Sequence, residues 1–298
     1  MTRKYMRHAA GRTTWHRAST FAAMLLLLGC PPGDDLNSEN SIDPNMPPVT
    51  EGNWYRPTVA TTWQWQLQPN AAGQINTTYD IAVYDIDLFE ASPAVIDELH
   101  AAGRRVICYF SAGSFEGFRP DAGEFAAAEL GDTLEGFADE RWLDVRSENV
   151  RRIMLARLDL AVQKGCDCVE PDNVDGFAND SGFALTAEDQ LAFNRLIANE
   201  AHQRGLCVGL KNDLDQIPEL VEYFDFSVNE QCHEFDECDL LTPFIDAGKP
   251  VFNAEYEARF VNSASERDAL CDDALDLNLR TLVLPIDLDD EFRFSCDP

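Results

Sequence analysis

The sequence predicts an α/β fold, a (β/α)8 TIM barrel in a single domain, on three observations. Eight short apolar or alternating runs recur along the chain, and amphipathic helical stretches separate most of them. About 250 residues remain after the N-terminal segments, a usual length for such a barrel. Nearly every run ends in side chains that can donate, accept or titrate. In a parallel barrel these ends form one ring at the C-terminal mouth, where the chemistry of the fold takes place.

Residues 1–30 precede the fold. Arg3, Lys4, Arg7, Arg12 and Arg17 lead into an apolar run at residues 21–28 that ends in Gly29-Cys30. This is the pattern of an export signal, too short to span a membrane. Leu27-Leu28-Gly29-Cys30 resembles a lipobox, in which the cysteine is lipidated and becomes the new N-terminus; ordinary cleavage nearby is the alternative. Residues 31–52, rich in Pro, Asp, Asn and Ser, read as a disordered linker, with order beginning near Trp54 and the barrel domain occupying residues 53–298.

Within the barrel, residues 61–67 and 80–87 read as the first two strands, and a helix at 93–102 stops at Gly103. Residues 106–111 are apolar enough for a buried third strand. A long insertion at 112–146 follows, and its aromatics Phe115, Phe118, Phe137 and Trp142 argue for order. The helix at 150–164 ends at Gly165 and leads into the fourth strand, which begins at Cys166. A helix at 185–204 is started by Thr186 and stopped by Gly205. Strands five to eight fall at 206–211, 224–230, 250–256 and 281–287, with a short helix at 218–223.

The fourth run, Cys166-Asp167-Cys168-Val169-Glu170-Pro171-Asp172-Asn173-Val174-Asp175, ends in a crowd of carboxylates. Neighbouring carboxylates push their pKa values apart and so divide acid and base roles. Such a mouth suits glycoside hydrolysis, which needs two opposed carboxyl groups. Asp172 from strand four and Glu230 from strand six are the candidates, with Glu170 and Asp175 as local competitors; the expected reaction is retaining, with Asp172 as nucleophile and Glu230 as acid and base. Glu170 shares a face with Asp172 nearer the interior, Asp175 lies out in the loop, and Lys211 and Asn212 are placed to bond sugar hydroxyls or to hold Asp172 ionised.

The formal net charge is −30, and removal of residues 1–30, which hold five basic and no acidic residues, takes it to −35. That makes nucleic acid and anionic membrane surfaces poor partners; it would attract a polycation, although charge alone reads first as solubility. Attachment to a membrane is expected only through a lipid at Cys30, and the chain is expected to act as an exported monomer, either as an outer-membrane or cell-surface lipoprotein or as a secreted protein. Apart from Cys30 there are eight cysteines, which in an exported chain favour disulfides over metal ligation. Cys232 with Cys238, Cys166 or Cys168 with Cys207, and Cys271 with Cys296 are the candidate pairs, leaving Cys108 as a free core thiol. No cofactor or metal is expected; His233 beside Cys232 lacks the paired spacing of a zinc knuckle.

From about Trp63 to Asp287 the chain resembles the endo-α-1,4-polygalactosaminidase family of glycoside hydrolases, family 114. The resemblance lies in Trp63-Gln64-Trp65-Gln66-Leu67, Cys108-Tyr109-Phe110-Ser111-Ala112-Gly113-Ser114, Arg141-Trp142-Leu143-Asp144, Glu170-Pro171-Asp172-Asn173-Val174-Asp175, Gly209-Leu210-Lys211-Asn212-Asp213, Asn229-Glu230-Gln231-Cys232 and Glu255-Tyr256. Where the family tends to carry Glu-Asp-Trp-Arg-Pro-Asp, this chain has Glu116-Gly117-Phe118-Arg119-Pro120-Asp121. The resemblance implies a TIM barrel that cleaves α-1,4-linked galactosamine polymers internally, with Asp172 and Glu230 as the catalytic pair. Substrate contacts are expected from Gln64, Asp85, Tyr109, Glu116, Arg119, Trp142, Glu170, Asp175, Lys211, Asn212, Glu255, Tyr256 and Asp287. A non-catalytic polysaccharide-binding lipoprotein, stacking sugars on Trp63, Trp65, Tyr109 and Trp142, is the alternative class, and an endo-glycosidase for another amino-polysaccharide is a third.

Overall fold

A computed structural model describes residues 42–297. Eight parallel strands follow one another around the sheet in chain order: β1 (Trp63–Gln66), β2 (Val83–Asp87), β3 (Arg105–Ser111), β4 (Cys168–Asp172), β5 (Cys207–Lys211), β6 (Phe226–Glu230), β7 (Val251–Glu255) and β8 (Arg280–Val283). The strand count and order agree with the expected (β/α)8 barrel. Alternation along the strands divides the apolar residues into two cores. Trp63, Trp65, Val83, Ile107, Cys168, Cys207, Phe226, Val228, Phe252 and Leu282 fill the interior. Tyr84, Ile86, Val106, Phe110, Val169, Val208 and Leu210 face outward against the helices. Gly209 belongs to the interior row, and a Cβ there would stand 2.2 Å from the Phe226 ring.

The principal helices follow from their caps. Helix α1 (Pro93–Ala101) has proline at its start. Helix α2 (Glu148–Lys164) is begun by Ser147, whose side chain accepts from Val150 N, and ended by Gly165 in the left-handed region at φ 87°. Helix α3 (Ala187–Gln203) carries a reciprocal cap between Thr186 and Asp189. Among the described residues no helix is long and apolar enough to cross a membrane.

The barrel seam departs from a regular ring. Among the described residues no backbone ladder joins β1 to β8; the short strand Phe294–Ser295 pairs antiparallel with β8 instead. Side chains bridge the gap: Trp63 Nε1 donates to Arg280 O at 2.7 Å, and Arg293 donates to Trp63 O at 3.0 Å and to Gln64 Oε1 at 2.5 Å. The eighth strand therefore ends at Val283, short of the expected residue 287.

Four disulfides join Cys108 to Cys166, Cys168 to Cys207, Cys232 to Cys238 and Cys271 to Cys296. Cys108 is thus not a free thiol, a correction with a simple cause: it faces outward on β3, where the turn before β4 brings Cys166 against it. Register selects the remaining partner, because Cys168 stands directly opposite Cys207. The Cys232–Cys238 bond commits both sulfurs beside His233.

Two further expectations meet a different structure. The insertion at 112–146 is a three-stranded antiparallel sheet, Ser114–Glu116, Leu130–Leu134 and Phe137–Leu143. Part of the expected linker is also ordered against the barrel. Val49 N donates to Asn199 Oδ1 at 2.7 Å, Asn199 Nδ2 donates to Pro47 O at 2.9 Å, and Tyr223 OH donates to Met46 O at 2.5 Å. A polar segment is ordered here because Asn199 and His202 on α3, together with Tyr223, satisfy its backbone. The signal, the lipobox with Cys30 and the rest of the linker lie outside the described residues.

Candidate active site

The residues that close β4, β5 and β6 share one device. Asp172, Lys211 and Glu230 are the last side chains of their strands, and each is followed by an amide residue in the left-handed region: Asn173 at φ 59°, Asn212 at φ 47° and Gln231 at φ 65°. Non-glycine residues adopt this conformation at a cost, and Asn is among those that tolerate it best. The turn leads the backbone away from the strand, leaving the last interior side chain at the mouth. Gly113 permits the closest approach in this layer, since a Cβ there would lie 1.8 Å from Asn173 O.

At the centre, Lys211 Nζ stands 3.0 Å from Asp172 Oδ1 and 3.0 Å from Glu230 Oε2. Asp172 also accepts from Tyr109 OH through Oδ2 at 2.9 Å and from Asn173 N at 2.7 Å. Glu230 accepts from Tyr256 OH through Oε1 at 2.7 Å, while Asn212 Oδ1 accepts from Glu230 N at 3.0 Å. Burial, and after it the charge of Asp172, push the Tyr109 phenol well above its usual range, so it remains a proton donor to Asp172. The site thus joins two carboxyl groups through one ammonium, each held through its other oxygen by a tyrosine.

Below this layer lie Asp85 and Glu170, both wholly buried. Burial raises both carboxyls, Asp85 to about 7 and Glu170 well above its usual value. The Trp65 ring forms the floor under Lys211, with Nζ 4.9 Å from its centroid.

Several expected sugar contacts are elsewhere. Gln64 alternates with the interior Trp63 and Trp65, so it faces away from the mouth and bonds Asp290 and Arg293 at the seam. Glu255 is likewise one residue out of step with the interior Ala254; its carboxylate accepts from His233 N at 2.9 Å and Asn253 Nδ2 at 3.2 Å. Asp287 is exposed beyond the end of β8. Trp142 is 7 % exposed and packs over Gly176, while Trp63 and Trp65 are fully inside, so none of the three tryptophans offers a stacking face. Asp175 opens the short turn Gly176–Ala178 beyond Asn173. Tyr109, Lys211, Asn212 and Tyr256 do converge on the two carboxylates.

Glu116 and Arg119 have a structural partner. Arg119 donates to both Asp87 oxygens at 3.0 and 2.7 Å and to both Glu116 oxygens at 2.8 Å, with all three residues buried. This triad fastens the insertion to the mouth end of β2. Arg119→Ala leaves two uncompensated buried carboxylates and is expected to cost about 3–5 kcal/mol in denaturant unfolding; a loss under 1 kcal/mol would contradict the role. Asn173 is the contributor that residue type alone did not single out. Its Nδ2 donates to Ser111 Oγ at 2.9 Å and fixes the turn that carries Asp172. An amide immediately after a strand-terminal acid was the available signal.

The buried carboxyls also set a pH dependence. Glu255 is raised from 4.5 to about 7, chiefly by burial. A raised carboxyl means that the folded chain retains a proton the unfolded chain releases, so its stabilising contribution is complete below about pH 4.5 and is lost as pH rises through 7. Thermal melts are expected to show highest stability on the acidic side of this window. Glu255→Gln is expected to flatten the fall, by on the order of 3 kcal/mol between the two ends; an unchanged slope would rule the group out.

Comparison with known proteins places this geometry. The profile of glycoside-hydrolase family GH114 matches residues 44–298. Aspergillus fumigatus Ega3, whose crystal structure is a complex with galactosamine, is similar at 42 % identity and a TM-score of 0.77, over 83 % of this chain and 99 % of that one. The glycoside hydrolase domain of PelA from Pseudomonas aeruginosa shares the fold at 17 % identity and a TM-score of 0.60, over 80 % of this chain and 99 % of that one. A comparison with curated proteins gives no match. The resemblance seen in the motifs therefore extends over the whole described barrel, and the chain belongs to glycoside-hydrolase family GH114.

Proposed function

We propose that this protein is an endo-acting hydrolase of α-1,4-linked galactosamine-containing polysaccharide, working with retention through Asp172 and Glu230. The observation that carries the reading is the shared ammonium. Both carboxylates lie 3.0 Å from Lys211 Nζ, so the two bonded oxygens are no more than twice that distance apart. That bound is compatible with the separation of about 5–5.5 Å of retaining pairs.

In the first step Asp172 attacks the anomeric carbon, and Glu230 gives its proton to the departing glycosidic oxygen. Water then attacks the glycosyl ester as Glu230 takes its proton, and Asp172 leaves as a carboxylate. Negative charge passes from Asp172 to Glu230 and back, yet at either place it stays about one hydrogen bond from the same ammonium. Tyr109 and Tyr256 hold the two carboxylates in place as the charge moves.

The substrate class rests on Ega3, which binds galactosamine, and on a net charge of −30, which draws a cationic polymer to the enzyme. Four disulfides fit an oxidising, exported setting. Attachment through a lipid at Cys30 and action as a monomer belong to the same proposal.

The test is digestion of galactosaminan, galactosaminogalactan, chitosan and a neutral galactan, with fragments read by mass spectrometry and the first-formed anomer by NMR. Internal fragments from the galactosamine polymers and an initial α-anomer are expected. A β-anomer would overturn retention, and cleavage of chitosan alone would move the substrate to another amino-polysaccharide.

A further inference from the structure

Asp85 and Glu170 are 0 % exposed, so neither reaches a bound sugar, although their positions near strand ends suggested that they would. None of their four carboxylate oxygens has a donor from the rest of the protein. The two carboxyls meet each other instead. An ionised carboxylate buried without a donor is costly, and two of them in contact are more so. One proton held between them resolves both problems: the protonated group donates, the other accepts, and the pair carries one negative charge rather than two.

The pair meets the chemistry at Lys211. Lys211 Nζ lies 3.8 Å from Glu170 Oε1, against 3.0 Å from each of Asp172 and Glu230. The ammonium is therefore suspended between a catalytic layer above and the carboxyl pair and Trp65 ring below. We propose that Asp85 and Glu170 are positioning residues that share one proton and thereby set the height of the Lys211 ammonium between Asp172 and Glu230. This rests on the catalytic reading of Asp172 and Glu230.

A pair that has lost its shared proton would draw Nζ down toward Glu170 and away from the oxygens whose charge it balances. The surrounding groups do not supply that control. On β2, Asp87 is neutralised by Arg119; on β3, Tyr109 stays protonated; β1 offers only the uncharged Trp65. Asp172 on β4 and Glu230 on β6 lie on the catalytic side of the ammonium. Burial raises both carboxyls of the pair, Asp85 to about 7, which puts loss of the shared proton above the range in which exposed carboxyls titrate.

The test follows kcat/KM against pH in the whole protein, which reports ionisations of the free enzyme. Two protons are expected to be lost on the alkaline side, one from Glu230 and one from the pair, so that log kcat/KM falls with a slope approaching two. In Glu170→Gln, whose amide donates to Asp85 without titrating, the slope falls to one. Asp85→Asn gives the same reduction and serves if the first variant does not fold. A difference infrared spectrum reads the proton independently of turnover: beside the bands of Glu230, Asp213 and Glu255, a further protonated-carboxyl band is expected below pH 7 in the unsubstituted protein and is lost in either variant. The proposal is overturned if that band is absent from the unsubstituted protein, or if both variants keep its alkaline slope. Because the infrared readout needs no catalysis, failure of this proposal is separable from failure of the catalytic pair.

Discussion

Asp172→Asn is expected to lower kcat by about 10⁴-fold or more while leaving the thermal unfolding transition close to that of the parent. The magnitude follows from removing a nucleophile, an effect that surrounding binding groups do not replace. Fold should survive because the amide is nearly isosteric and the side chain sits at the strand terminus, 8 % exposed, not in the apolar core. Its partner variant behaves differently. Glu230→Gln removes the acid and base and is expected to cost about 10²–10⁴-fold with a polysaccharide, but much less for the first step of an aryl glycoside whose leaving group needs no proton. Asp172→Ala with added azide is expected to release a β-glycosyl azide, because the small anion attacks from the side the carboxylate has vacated. Full activity in either Asp172 variant would remove this residue from the mechanism.

Lys211→Met is expected to carry the next largest effect, a fall of about 10²–10³-fold in kcat, the scale seen when one preorganised charge donor is removed from a site. The ammonium is the nearest positive charge shared by Asp172, Glu230 and Glu170. Without it, three acidic side chains face one another in a buried mouth, and the charge moved during turnover loses its counter-ion at both ends. The loss should appear in kcat more than in KM, since the group acts on the charge that develops in the reaction. Lys211→Arg is not expected to restore the rate, because a planar guanidinium cannot occupy the space of a compact ammonium above the Trp65 ring. A loss below about fivefold in the methionine variant would show that the bridging geometry is incidental.

The fold was legible because its signals are local and repeated. Gly165 and Gly205 mark helix ends, Thr186 marks a start, and an apolar run such as 106–111 reads as a buried strand; the Ser147 cap, which starts α2 at Glu148 and not at 150, was not read. That the carboxylates proposed as the catalytic pair meet was legible for a related reason: in a barrel, the last interior side chain of each strand arrives at one place. What residue type did not reveal was parity. Gln64 and Glu255 stand one residue from interior positions, and that single step turns them to the outer face. Depth was hidden as well. Glu170 and Asp172 share a face, yet one is sealed beneath the other, because two residues along a strand move a side chain by one whole layer. The ion triad of Asp87, Glu116 and Arg119 joins residues far apart in the chain, and the Cys108–Cys166 bond depends on a turn whose path no spacing rule describes.

Burial of Trp63, Trp65 and Trp142 also weighs against a purely sugar-binding protein, since the proposed stacking platforms are committed to the core. The two opposed carboxylates on one ammonium have no comparable use in binding alone.

The most direct measurement is covalent trapping. Glu230→Gln is incubated with an aryl α-galactosaminide bearing an activated leaving group, and the intact protein and its peptides are analysed by mass spectrometry. The predicted result is an increase of one galactosaminyl unit, located on the peptide at Asp172. An adduct on any other carboxylate, or turnover of the aryl galactosaminide with direct formation of the β-anomer and no adduct, would contradict the account.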